Sequence, residues 1–140
     1  MSQWRRVAIE MIPQLKQDIE QAQTPENLWD MLAQCTDIAY TEPKDEEMLT
    51  KIFDYAHWCL QTPTDEPLFY AVTRDFYGLI VRDKTRRKDM PFRITKADFQ
   101  TLRDEHLVWL LDDEVLERVE KEFWEAKSRW LRKRGGRDAY

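Results

Sequence analysis

The 140-residue chain is long enough to bury one hydrophobic core, and its six Trp, six Phe and five Tyr argue against disorder. Its net charge of −5 is divided unevenly, because residues 1–81 carry a net −8 and residues 82–140 a net +3. Only three glycines are present, two of them in the last six residues, which excludes the glycine-rich loops that bind phosphates and dinucleotides.

Hydropathy and cysteine content indicate the cellular setting. No apolar run approaches the roughly 18–20 residues of a membrane span. Glu10 interrupts the short apolar run near the start, so we expect no secretory signal. Cys35 and Cys59 are too few for a disulfide framework. We therefore expect a cytoplasmic protein with reduced thiols and no membrane partner.

Capping residues, prolines and apolar spacing predict six amphipathic helices. Apolar residues recur at i, i+3, i+4 and i+7 along each segment, as on one face of a helix. Start signals stand at Thr24-Pro25-Glu26, Glu42-Pro43, Thr64-Asp65-Glu66-Pro67, Thr95 and Asp112-Asp113-Glu114. The predicted helices span residues 3–22, 25–40, 44–61, 66–82, 96–110 and 113–133, with a Lys- and Arg-rich connection from Asp83 to Thr95.

The predicted fold is all-α, with five or six helices in antiparallel hairpins. Helix starts near Pro25, Pro43 and Pro63–Pro67 are roughly twenty residues apart, so one hairpin occupies about forty residues, the period of HEAT-like repeats. A HEAT-like array and an irregular helical bundle both fit this spacing. We expect one domain over residues 1–134 and a flexible tail over residues 135–140.

Two helices give specific core predictions. In the helix 66–82 the apolar face is predicted to contain Leu68, Phe69, Val72, Phe76, Leu79 and Ile80. In the helix 96–110 it is predicted to contain Phe99, Leu102, His106, Trp109 and Leu110.

Catalytic and metal-binding patterns are incomplete. Asp54 and His57 have the i, i+3 spacing of di-metal bundles, but such a site needs a matching pair on a second helix. The other histidine, His106, has Arg103 three residues before it. Neither serine can be tied to a histidine as a nucleophile. We expect a non-enzyme without catalytic residues, metal or cofactor.

Aromatic residues outside the apolar faces predict a protein-binding surface. Trp58 projects among Glu47 and Asp54, and exposed aromatic residues near charges are strong anchors at interfaces. The alternative is that these helices pack on two sides, which would bury the aromatic rings. The candidate partner-binding residues are Glu47, Asp54, Trp58, Tyr70, Arg74, Tyr77 and Trp124. An acidic first half of this kind favours a basic protein partner.

Clustered basic residues offer a second function, the binding of nucleic acid or phosphate. Guanidinium and ammonium groups bind phosphates by releasing counterions. The candidates are Arg82, Lys84, Arg86, Arg87, Lys88 and Arg93, together with the basic end of the last helix. The net negative charge weighs against this function, and the basic helix end also follows the charge order that the helix dipole favours.

Four segments carry a family resemblance: residues 69–77, residues 99–102, residues 110–111 and residues 114–123. They resemble small all-helical bacterial proteins of unknown function, some of them HEAT-like. The resemblance covers about the last two thirds of the chain and implies a binding module, of which toxin-neutralising immunity proteins are one example. It implies no particular functional residue.

Overall fold

The computed structural model describes residues 1–62 and 65–139, and this part contains helices and no strand, which confirms the all-α class. The α-helices are α1 (Gln3–Met11), α2 (Lys16–Gln21), α3 (Pro25–Tyr40), α4 (Glu46–Gln61), α5 (Glu66–Val72), α6 (Gly78–Arg82), α7 (Lys84–Asp89), α8 (Lys96–Leu102), α9 (Val108–Leu110) and α10 (Asp113–Lys133). Short 3₁₀ turns occupy Pro13–Leu15 and Met90–Phe92. π-Helical turns at Thr73–Tyr77 and Arg103–Leu107 join α5 to α6 and α8 to α9.

Counted through the π-helical turns, the described residues form eight helices rather than the five or six predicted. The predicted helix 3–22 is interrupted at Ile12, because Pro13 disfavours helical geometry in the residue before it. The predicted connection after Asp83 contains α7, whose first turn donates the N–H groups of Thr85 and Arg86 to the Asp83 carboxylate. Pro63 and Thr64 lie outside the described residues.

Side-chain caps fix the helix starts. Thr24 accepts from the N–H of Asn27, and Asp112 accepts from the N–H of Val115. These bonds satisfy donors that have no partner inside the helix. Asp45, Asp65 and Thr95 cap α4, α5 and α8 in the same way.

The chain divides into two compact units, Met1–Phe76 and Tyr77–Tyr140. In the first unit, α4 packs against α1 and α3. Its core is aromatic: the Trp29 ring stacks on Tyr55 at 5.6 Å and meets Phe76 at 5.0 Å. The Tyr55 hydroxyl donates to the backbone carbonyl of Trp4 at 2.8 Å.

In the second unit, α10 packs against the turn Met90–Phe92. The rings of Phe99 and Phe123 stack 3.9 Å apart between α8 and α10. Residues 135–139 follow α10, where the Gly136 N–H donates to the carbonyl of Leu131 and closes the helix end.

The π-helical turn at Thr73–Tyr77 changes which residues are buried after it. A π turn holds one more residue than an α turn, so the buried face moves on by one residue. Tyr77 and Val81 are buried, whereas Leu79, predicted in the core, is 47% exposed.

The second π-helical turn, Arg103–Leu107, has the same effect. Leu107 is buried where the α-helical phase predicted His106. Trp109, also predicted in the core, is 86% exposed, so that prediction is wrong. The shift therefore places a tryptophan ring in solvent.

Candidate protein-binding surface

Three of the predicted partner-binding residues lie on one face of α4. Glu47, Asp54 and Trp58 follow at i, i+7 and i+11, with Lys51 between them at i+4, which is the spacing of one helix face. Lys51 forms an ion pair with Glu47 at 3.1 Å and donates to the Gln14 side chain at 3.3 Å. We call Glu47, Lys51, Asp54 and Trp58 the α4 stripe.

Asp54 lies inside α4, whereas Asp45, Glu46 and Glu47 lie at the start of the helix. Asp45 caps the helix, whereas Asp54 lies more than two turns inside it. The Asp54 carboxyl is half-buried, and this burial raises its pKa, although the charge of His57 works in the opposite direction. The burial of the Asp54 side chain therefore disfavours its ionised form.

Trp58 is half-buried rather than fully exposed. Its indole stacks on the buried Tyr55 ring with centroids 5.8 Å apart and planes 18° apart. One part of the ring is thus fixed by the core while the rest reaches solvent. A ring held in this way loses little conformational freedom when a partner covers it.

A second patch in the same unit surrounds Tyr70, which is 58% exposed. Arg74, one turn further on, bonds both carboxylate oxygens of Asp75, at 2.9 and 3.2 Å. These bonds raise the pKa of Arg74 most, and the charges of Glu26 and Asp30 on α3 raise it further. Sequence reasoning missed Glu26 and Asp30, although their i, i+4 spacing on α3 was visible.

Two aromatic residues that were predicted to bind a partner, Tyr77 and Trp124, lie outside the α4 stripe and the patch around Tyr70. Tyr77 is fully buried, so it is removed from the predicted surface; the π-helical turn rotates its side chain into the interior. Trp124 belongs to the second unit and is half-buried, with its ring edge-on to Phe99 at 5.5 Å. It lines an open cleft on α10 with Glu125, Ser128, Arg129 and Arg132.

The basic segment is helical, and half of its predicted residues are paired with acids. Arg87 bonds Glu122 at 3.2 Å and the Val81 carbonyl at 3.0 Å. Arg93 bonds Asp89 at 2.6 Å, and Arg86 faces Asp83 at 3.9 Å. The exposed cations of the set are Arg82, Lys84 and Lys88.

In the described ranges, no group of three or more His, Cys, Asp or Glu side chains is arranged to hold a metal ion. Burial raises the pKa of the Cys59 thiol, and burial with the charge of Asp18 raises that of Cys35, so both thiols resist ionisation. No helix of the described part combines the length and apolar character needed to cross a membrane.

Comparisons with known proteins identify no relative. No protein-family model, no curated protein and no solved structure matches the chain. Function must therefore be inferred from the geometry and charge of the chain itself.

Proposed function

We propose that this chain is a non-catalytic module that binds a basic protein through the α4 stripe. The observation that carries this proposal is Asp54, a half-buried carboxylate in the middle of a helix that also presents Trp58 one turn later. A charge that is disfavoured in the free protein and lies next to an aromatic anchor is typical of a binding site.

The charge of the first unit supports the choice of partner. Residues 1–76 contain six Lys and Arg against fourteen Asp and Glu, a net −8. A lysine or arginine placed on Asp54 would favour its ionised form and recover the desolvation cost. Electrostatic attraction would also accelerate association and make it sensitive to salt. The patch around Tyr70 and Arg74 gives the same unit a second set of contacts.

The wider setting is part of the same proposal. It includes HEAT-like packing of the hairpins, a bacterial cytoplasmic location and an immunity or adaptor role. All three agree with a binding module that has no catalytic group. The packing of α3 against α4 in the first unit supports this proposal.

The test is a comparison of variants against a purified partner. Proteins captured from the source cell by the parent chain are identified, purified and measured again by calorimetry with Trp58→Ala and Asp54→Asn. We expect each variant to weaken binding by at least tenfold, since both belong to the central contact. Trp109→Ala is the matched control, because it removes an exposed indole from the other unit and should leave affinity unchanged.

Two results would overturn the proposal. One is a partner whose affinity is the same for the parent, Trp58→Ala and Asp54→Asn. The other is a partner with an acidic binding face, whose affinity increases rather than falls as salt is added.

The alternative function is the binding of nucleic acid by the second unit, and the exposure of Arg82, Lys84 and Lys88 favours it. It predicts tight binding of DNA or RNA that weakens steeply between two salt concentrations. The triple change of these residues to Ala would abolish that binding. No retention of either nucleic acid at low salt would exclude this alternative.

A further inference from the structure

Lys127 is the most unusual residue of the second unit, because its side chain is fully buried although lysine is almost never so. Its Nζ donates to the carbonyl of Pro91 at 2.7 Å and to that of Ile94 at 2.6 Å. The Trp130 ring lies 4.6 Å from the same nitrogen. The ammonium is therefore held in place by groups of two different segments.

The counter-charge of Lys127 comes from the chain after α10. Gly135 and Gly136 take positive φ angles of 65° and 86°, which glycine adopts without strain, and turn the chain away from the helix axis. Asp138 then forms an ion pair with Lys127. Its other carboxylate oxygen accepts from the backbone N–H of Lys96 at 2.9 Å.

A second cation, Arg134, lies near the ion pair of Lys127 and Asp138. Burial lowers the pKa of the Lys127 ammonium most, and the charges of Arg134 and Lys96 lower it further, although Asp138 acts in the opposite direction. The Arg134 guanidinium lies 4.1 Å from the Trp130 ring, which Lys127 also contacts. The Ala139 N–H adds a donor to Asp138 at 2.8 Å. One carboxylate therefore pairs with the Lys127 ammonium and accepts from two backbone donors, and Arg134 lies against the same ring as that ammonium.

We propose that Lys127, Arg134 and the backbone N–H of Lys96 form an oxyanion site for a phosphate group, and that Asp138 is its built-in occupant. A phosphate monoester carries nearly two charges and three acceptor oxygens, whereas a carboxylate carries one charge and two oxygens. The phosphate group therefore matches the two cations better than the Asp138 carboxylate does. Binding displaces Asp138 and with it residues 135–139, so occupancy of the site and release of the tail are coupled.

The decisive variant is Asp138→Asn, which removes the competing charge and keeps the side-chain size. Inorganic phosphate and phosphoserine are titrated into the ¹⁵N-labelled parent and variant, with chloride replacing phosphate at equal ionic strength. We expect the variant to bind phosphate at least tenfold more tightly than the parent and to show a shift of the Lys96 amide signal. In the parent, millimolar phosphate should shift the Ala139 amide as the tail is released.

The two probes distinguish the source of the group. Tighter binding of phosphoserine than of inorganic phosphate favours a phosphorylated partner, and the reverse favours the free ion; both support the site. Equal, weak responses of parent and variant to phosphate and chloride, or shifts confined to other residues, would overturn it.

Control variants avoid dependence on the buried lysine, whose replacement could unfold the unit. In the Asp138→Asn background, Arg134→Ala should reduce phosphate affinity, because it removes one of the two cations. Arg129→Ala removes an exposed arginine from the same helix and should leave the affinity unchanged. Equal losses in the two variants would show a general charge effect and contradict the proposal. This site is independent of the α4 stripe, so either proposal can fail without the other.

Discussion

Among the described residues, the second unit buries charged side chains and the first unit buries none. The first unit buries neutral hydroxyls: Thr36 donates to the Leu32 carbonyl at 2.7 Å, and Tyr55 donates to Trp4. The second unit buries the charged Lys127 and Asp98. A neutral hydroxyl needs one partner, whereas a buried charge needs a counter-charge and several hydrogen bonds. The surface charges also differ, since the first unit is net −8 and the second net +3.

This difference has a consequence for stability. A hydroxyl bond contributes about 0.5–1.5 kcal/mol net, and its loss is tolerated. A buried ion pair is more sensitive to substitution, because the loss of either partner leaves the other charge buried without a counter-charge. We therefore expect the second unit to be the more sensitive to single substitutions of buried polar residues.

The largest effect is expected for Lys127→Met. The change removes both hydrogen bonds to the carbonyls of Pro91 and Ile94. It also leaves the Asp138 carboxylate without its counter-charge. We expect a loss of about 3–5 kcal/mol in the free energy of unfolding, measured by urea denaturation. Lys121→Met, on an exposed position of α10, is the control and should change it by less than about 0.5 kcal/mol. Similar values for the two variants would contradict the contrast between the units.

The next effect tests the π-helical turn of the second unit. Leu107→Ala should cost about 2–4 kcal/mol, because Leu107 is fully buried. Trp109→Ala should cost less than about 0.5 kcal/mol, because its ring is exposed. A straight α-helix would exchange these roles and give Trp109→Ala the larger loss. Thermal unfolding of both variants, followed by circular dichroism, decides between the two geometries.

The helix positions could be predicted from sequence, and the reason is local. Caps such as Thr24 and Asp112 satisfy N–H groups within the next three residues, so their signal lies inside a short window. The predicted bounds 25–40 and 113–133 agree with α3 and α10. The outer bounds of 66–82 and 96–110 also agree with the ends of α6 and α9.

The residues facing the interior were harder to predict. A π-helical turn does not change where the helix begins and ends, but it changes which face each later residue occupies. The α-helical spacing therefore predicted the wrong faces for Tyr77 and Trp109. The burial of Lys127 depends on carbonyls more than thirty residues away, which no local pattern contains. The α4 stripe was predictable because α4 has no such turn.

A smaller effect is expected for Tyr55→Phe in the first unit. The change leaves the Trp4 carbonyl without its buried donor, and we expect a loss of about 1–2 kcal/mol in urea denaturation. Burial raises the pKa of Tyr55 far above that of an exposed tyrosine. Tyr55 therefore ionises at a lower pH in the unfolded chain than in the folded one. The parent should lose stability as the pH rises above 10.0, which is the ordinary pKa of tyrosine. The variant should lose less stability in that range, and identical pH slopes would contradict the assignment.

The smallest effect, and the one with the opposite sign, is expected for Asp54→Asn. Since burial raises the Asp54 pKa, the folded state binds the proton more readily than the unfolded state does. The resulting stability is fully present below the unfolded value of 3.8 and is lost as pH rises through the folded pKa. At neutral pH the ionised carboxylate therefore destabilises the parent, and Asn should stabilise the chain by less than about 1 kcal/mol.

The pH dependence separates this cause from a general effect of substitution. The stability difference between Asp54→Asn and the parent should shrink as pH falls toward 3.8, because the parent carboxyl then also becomes neutral. Glu10→Gln, at an exposed site on α1, is the matched control and should show no such trend. A variant that is less stable than the parent at neutral pH would mean that Asp54 stabilises the fold. A variant that is more stable than the parent but binds the partner less tightly would show that the Asp54 charge lowers stability and contributes to binding.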